Sequence, residues 1–139
     1  MWNTLSAAIK AKVQTSTNVD SAAVFDYAKT NMQKYPVVTI TPAENQNTSF
    51  ADTTRRRRSY TFAVRVYQER TERDEESSER ILRTLVDDLI TIFDADIYLD
   101  NALAGRGFAF PIPSVWTFVG GEQVNVRMAE ILIECVVIQ

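Results

Sequence analysis

Apolar residues recur at spacings of three and four from Trp2 through Leu5 and Ile9 to Val13, so the chain should open with an amphipathic helix. Such a stripe needs a partner surface. Gln14 to Ser21 is polar and rich in Ser, Thr and Asn, which predicts a connector. Ala22 to Ala28 is ambiguous, because Val24-Phe25 flanked by small residues fits either a short strand or a helical turn. Tyr35-Pro36 then leads into Val37-Val38-Thr39-Ile40-Thr41, a β-branched run stopped by Pro42 and read as a strand. From Ser59 to Glu69 the period is two: Tyr60, Phe62, Val64 and Val66 share one face, and Thr61, Ala63, Arg65 and Tyr67 the other. One side of that strand is core and the other is mixed.

A second helix is expected from about Asp74 to Phe93, with Ile81, Leu82, Leu85, Val86, Leu89 and Phe93 as its apolar stripe. It should be about 30 Å long. Asp74, Glu75 and Glu76 stand where carboxylates favour the positive end of the helix dipole. Glu76 with Arg80 and Glu79 with Arg83 are i,i+4 pairs, each worth a few tenths of a kcal/mol. After Asp94, the stretch through Asn101 and Gly105-Arg106-Gly107 to Pro111 and Pro113 reads as a linker too broken for regular structure. Ser114 to Val119 reads as a strand, Gly120-Gly121 as a turn and Val124 to Ile138 as a long returning strand. Ala129, Ile131, Ile133, Cys135 and Val137 give that last strand an apolar face, opposite a mixed face of Met128, Glu130, Leu132, Glu134 and Val136. The order of helix, strands, long helix and strands implies an α+β fold: an antiparallel-rich mixed β-sheet with two helices packed on one face.

Composition narrows this further. A length of 139 residues suits a single domain spanning 1–139, large enough for its own core, and 45% hydrophobic with 24% charged residues is ordinary for a globular protein. No stretch approaches the roughly 20 apolar residues that span a bilayer, and the N-terminus lacks a basic segment followed by an apolar run. The expectation is a soluble, cytoplasmically made protein with no membrane association. The net charge of −3 argues against a surface given over to nucleic acid. Any basic function must be local.

Histidine is absent, which removes the commonest general base and the base of Ser and Cys triads. Glu130 and Glu134, four apart on one strand face, stand about 13 Å from each other, too far for a glycosidase-type pair. A solvated or interfacial strand face is the better reading of both. Cys135 is in phase with Ile131, Ile133 and Val137, so it reads as a small buried hydrophobe, and it has no second cysteine to pair with. Gly105-x-Gly107 lacks the third glycine and the following helix of a phosphate-binding turn. Asp94, Asp96 and Asp100 do not fit calcium-loop spacing and read as solvating loop residues. No catalytic residue, metal or cofactor is therefore expected.

One segment stands out: Ala43 to Arg58, about sixteen polar residues between two strands, ending in Arg55-Arg56-Arg57-Arg58. Structureless loops of that length are uncommon in compact domains and are usually functional or disordered. Four arginines in an acidic chain suit phosphate or a carboxylate-rich partner surface. If the run is extended, Arg55 and Arg57 face one way and Arg56 and Arg58 the other. The plainer alternative is a solvated strand entry that discourages edge pairing. Phe50, isolated in this polar stretch, would anchor the arm either to its own subunit or to a neighbour. The candidate interface is thus Phe50, Arg55, Arg56, Arg57, Arg58, Glu130 and Glu134.

The succession Tyr35-Pro36-Val37-Val38-Thr39-Ile40-Thr41-Pro42, then Phe50-Ala51-Asp52-Thr53 with arginines, then Tyr60-Thr61-Phe62-Ala63-Val64-Arg65-Val66-Tyr67 resembles the tail terminator proteins of long-tailed bacteriophages. The acidic helix start, Ile81 to Phe93, the aromatic strand around Trp116 and Arg127-Met128-Ala129-Glu130-Ile131 follow in the same order. The resemblance runs from Tyr35 to Ile138 and lies in order and spacing. It implies a small non-enzymatic α/β virion protein that forms a hexameric ring on the tail tube protein, stops tube growth and offers the surface to which the head-tail connector or head-completion protein attaches. DNA would pass through the ring without specific binding. The Arg55 to Arg58 run is stronger than the family leads one to expect. Competing readings are another neck or head-closure protein, a nucleic-acid-binding module using the arginine run and Tyr67, and a carboxylate-dependent enzyme such as a nuclease.

Overall fold

The computed structural model describes residues 1–29, 34–43, 48–50, 56–69, 75–119 and 126–138. In chain order they form α1 (Trp2–Val13), a 3-10 turn (Ser21–Ala23), β1 (Val24–Phe25), β2 (Val37–Pro42), β3 (Thr48–Phe50), β4 (Arg56–Glu69), α2 (Glu75–Ala95), β5 (Gly107–Val119) and β6 (Val126–Ile138). The six strands make one sheet in the order β1-β2-β4-β6-β5, with β3 also on β4. Only β1 with β2 is parallel; the other pairings are antiparallel. The ambiguous Ala22–Ala28 segment holds a turn of 3-10 helix followed by the short strand β1.

Period-two alternation decides which sheet face is covered. Tyr60, Phe62, Val64 and Val66 of β4 stand opposite Cys135, Ile133, Ile131 and Ala129 of β6, and all eight are buried. Onto this face α1 brings Leu5, Ile9 and Val13, and α2 brings Leu82, Leu85, Val86, Leu89 and Phe93, all within one core cluster. Burying each such side chain contributes about 1.5–3 kcal/mol. Trp2 seats the start of α1 edge-on against Tyr60 and Phe62, with ring centroids 4.8 and 5.1 Å away. At the other end of α1, Ser16 donates to the Asp88 carboxylate, and Asn18 Nδ2 donates to it at 3.2 Å, tying the first connector to α2.

Two expectations need correction. Ile81 lies outside the buried stripe of α2 and is exposed, because at 100° per residue it stands about 100° from the stripe's centre. Ser78 takes the buried position one turn before Leu82 and Leu85. The supposed linker up to Pro113 is regular from Gly107 onward, as the first half of β5. Prolines are tolerated there because β5 is an edge strand. Gly107 and Ala109 donate outward to the carbonyls of Leu103 and Ile97, so Pro111 and Pro113, in phase with them, lack only N–H groups that would point away from β6. The sheet edge is thereby closed to a further strand along this stretch. Asp74 and the Gly120-Gly121 turn lie outside the described residues.

Residues 96–106 are ordered by their own chemistry. Leu99 and Leu103 are buried, while Leu99, Asp100 and Asn101 adopt left-handed backbone at φ 50, 53 and 70°. L-residues pay about 1–2 kcal/mol each for that conformation. Offsetting it, the Asp96 carboxylate accepts from Tyr98 N at 3.1 Å and Asp100 N at 2.7 Å and binds Lys12 Nζ at 3.0 Å. The Asp100 backbone bond leads in holding the Asp96 pKa down, to about 2 against its ordinary 3.8. A depressed carboxylate pKa contributes stability that is fully present above the unfolded value and is lost as pH falls through the folded one. Stability should therefore fall between about pH 4 and pH 2, and Asp96→Asn should lower Tm at pH 7 by a few degrees while flattening that acid limb. Thermal melts across this pH range check both. An unchanged acid limb in the variant would remove Asp96 as its source.

Candidate interface surface

Of the Ala43 to Arg58 segment, residues 43, 48–50 and 56–58 are described, and two of these stretches are regular. Thr48, Ser49 and Phe50 form β3 and pair antiparallel with Arg58, Arg57 and Arg56, so β4 begins within the arginine run. On its other side, β4 places Arg57 opposite Ile138 and Arg58 opposite Val137. Arg57 is exposed, whereas Arg58 is half-buried, its Nε shielded and without a hydrogen-bond partner among the described residues. Shielded guanidinium nitrogen is costly to leave unsatisfied. Arg55 lies outside the described residues, so its predicted pairing with Arg57 on one face does too.

Glu130 and Glu134 fall on the sheet face that no helix covers. Glu130 Oε1 stands 3.4 Å from Arg65 Nε, its cross-strand neighbour, and Glu134 Oε1 accepts from Ser59 Oγ at 2.8 Å. Strand geometry thus separates the two carboxylates and gives each its own partner. They do not adjoin Phe50 or Arg56 in the strand ladder; Arg57 lies on their face, near the end of β6. Cys135, on the opposite face, is fully buried, and burial followed by the nearby Glu134 charge pushes its thiol up to about 12. A thiol so placed is not a nucleophile at neutral pH. Asp96 and Asp100 hold the Lys12 ammonium between them, at 3.0 and 3.2 Å, and Asp94 stands apart from that group.

Sequence reasoning missed the apolar part of this open face. Phe108, Phe110 and Ile112 alternate outward along β5, opposite Val136, Glu134 and Leu132, and the Phe108 and Phe110 rings stack 6.0 Å apart. Phe108, Ile112 and Ile138 on the sheet, with Ile97 and Tyr98 beside its edge, are each between 38% and 46% exposed. Given about 200 Å² for a large side chain, these five present on the order of 400 Å² of surface, within the range of the largest apolar patch on a monomer, which is often functional. A cleft lined by Ile97, Tyr98, Gly105, Arg106, Gly107, Phe108 and Ile138 opens at its end. The signal was the alternation Phe108-Ala109-Phe110-Pro111-Ile112-Pro113, masked by its prolines.

No helix among the described residues is long and apolar enough to cross a membrane. By sequence no protein family matches the chain. No curated protein matches it either. Among solved structures, a chain from the virion of a native gene transfer agent particle is similar in fold, with a TM-score of 0.60 at 16% identity, and the match covers 97% of this chain and 95% of that one.

Proposed function

We propose that the chain is a non-enzymatic structural subunit of a phage-type particle, and specifically a tail terminator: a ring, hexameric by the family resemblance, that caps the tail tube, stops its growth and receives the head. The observation that carries this reading is the end-to-end likeness in fold to a chain of a virion particle. The ordered resemblance from Tyr35 to Ile138 supports the terminator role within it. An uncovered sheet face with large exposed apolar residues suits a protein that works inside an assembly. DNA would pass through the ring, and no membrane would be involved.

Deleting the gene tests the role. Loss of a terminator should leave overlong tubes, whereas loss of a head-closure protein, the second reading, should leave full-length tails beside heads that leak DNA. The arginine run supplies a finer prediction. Replacing Arg55, Arg56, Arg57 and Arg58 together by Ser should weaken tail joining by about tenfold or more while leaving the circular dichroism spectrum unchanged, because charged contacts across an interface set association. Infectious yield from complemented lysates measures it, and full yield from a folded variant would remove the arginines from the contact.

A further inference from the structure

Arg57 of β4, Ile138 of β6 and Arg106, the residue before β5, form a row across one end of the open sheet face. Arg57 of β4 is the Cα partner of Ile138 in β6, and Ile138 N donates to Arg106 O at 2.7 Å, just before β5. Strand spacing puts the two arginines about 10 Å apart with Ile138 between them. All three are exposed, and neither arginine makes an ion pair among the described residues.

On the opposite side of the subunit, the outer face of α2 carries a matching row of opposite charge. In its first half Arg80 pairs with Glu76 at 2.6 Å and Arg83 with Glu79 at 2.7 Å, and Glu79 also meets Arg127 of β6 at 3.0 Å. In its second half Asp87 and Asp94 are exposed, and neither carboxylate has a cationic partner among the described residues. Seven residues of helix separate them by about 10.5 Å, nearly two turns, so they share a face. Thr91 lies between them and is also exposed; its hydroxyl donates back to Asp87 O at 2.9 Å, which leaves its methyl group to face outward.

We propose that the second half of α2 in one copy of this chain packs across the open sheet face of the next, Asp87 and Asp94 meeting Arg57 and Arg106 while Thr91 rests on Ile138. The match is one of sign, spacing and an apolar centre. Because the two surfaces lie on opposite sides of the subunit, the contact is head-to-tail, and repeating it generates a closed ring if the rotation permits. Phe108 and the cleft beside it then become interior to the contact. The inference rests on the reading of the chain as a ring subunit and names the surfaces by which the ring is built.

The test uses full-length protein supplied to the deletion strain, with particles purified and oxidised before non-reducing electrophoresis. Thr91→Cys combined with Ile138→Cys should give a ladder of covalent multimers, and the buried Cys135 alone should give none. Cross-linking by Ile138→Cys alone would mean that open faces meet each other, and would overturn the proposal. Particles that contain the double variant but show no ladder would overturn the contact and leave the ring reading standing. Absence of even the wild-type chain from particles would overturn both. As a second arm, Arg57→Glu with Arg106→Glu should cut infectious yield by about tenfold or more, and adding Asp87→Arg and Asp94→Arg should restore most of it. Loss without restoration would point to another partner, such as DNA, and contradict the proposal.

Discussion

Replacing Phe62 by alanine should destabilise the protein by about 3–5 kcal/mol, the range for truncating a fully buried aromatic. Phe62 sits where every layer converges. It is 1% exposed, stands between Pro42 of β2 and Ile133 of β6 in the ladder, and meets the Trp2 ring that seats α1. A cavity there withdraws contacts from the sheet and from α1 together, and neighbouring backbone paired on both sides cannot collapse into it. Tm should fall by on the order of 10 °C for a domain of this size. Urea unfolding monitored by tryptophan fluorescence measures it, and a loss below about 1 kcal/mol would show that the core relaxes around the site.

Gly107→Ala should have the next largest effect. A methyl group at Gly107 would stand 2.0 Å from Val136 O and 3.1 Å from Val137 Cα, backbone atoms of the partner strand that cannot turn aside. Either β5 detaches locally or the β5–β6 register shifts, and the expected cost is about 3 kcal/mol. Gly105→Ala is the control. Its methyl group meets nothing within 4 Å, but the backbone φ of +76° is unfavourable to an L-residue, so a cost of about 1 kcal/mol is expected. Hydrogen exchange should locate the damage, with protection lost at Ala109 and neighbouring β5 amides in Gly107→Ala and retained in Gly105→Ala. Equal costs in the two variants would show that the close approach is not what makes glycine necessary at 107. The positions of Phe108, Ile138 and Arg106 depend on this register, so the same substitution should also weaken the proposed ring contact.

Where local pattern and tertiary demand agree, the fold was legible from sequence. The stripe Leu82, Leu85, Val86, Leu89 and Phe93 predicts α2, and alternation from Ser59 and from Val124 predicts β4 and β6 with their buried faces correctly chosen. Failures came where the environment reverses the usual meaning of a residue. Pro111 and Pro113 read as strand breakers, yet on an edge they remove only outward N–H groups. Ile81 reads as core by hydrophobicity, but the helix turns it to the flank. Within the Ala43 to Arg58 segment, Thr48 to Phe50 read as loop because β3 has weak local preference and exists through pairing with Arg56, Arg57 and Arg58, a contact that composition does not express.

The candidate surface divides in the same way. Alternation alone put Glu130 and Glu134 on a solvated or interfacial strand face, and both stand on the side of the sheet that the helices leave open. The row Arg57, Ile138 and Arg106 could not be read in advance, since its members come from β4, β6 and the turn before β5 and are brought together only by register. The absence of histidine, legible at once, removes the usual bases without identifying a partner.

The central claim, that this subunit ends tail growth, is tested most directly by the length distribution of tails made without it. Electron microscopy of lysates from the deletion strain should show a broad distribution extending well beyond the wild-type length, with headless tubes, and supplying the chain in trans should return the distribution to a single narrow peak. Tails of normal, uniform length in the deletion strain would contradict the account.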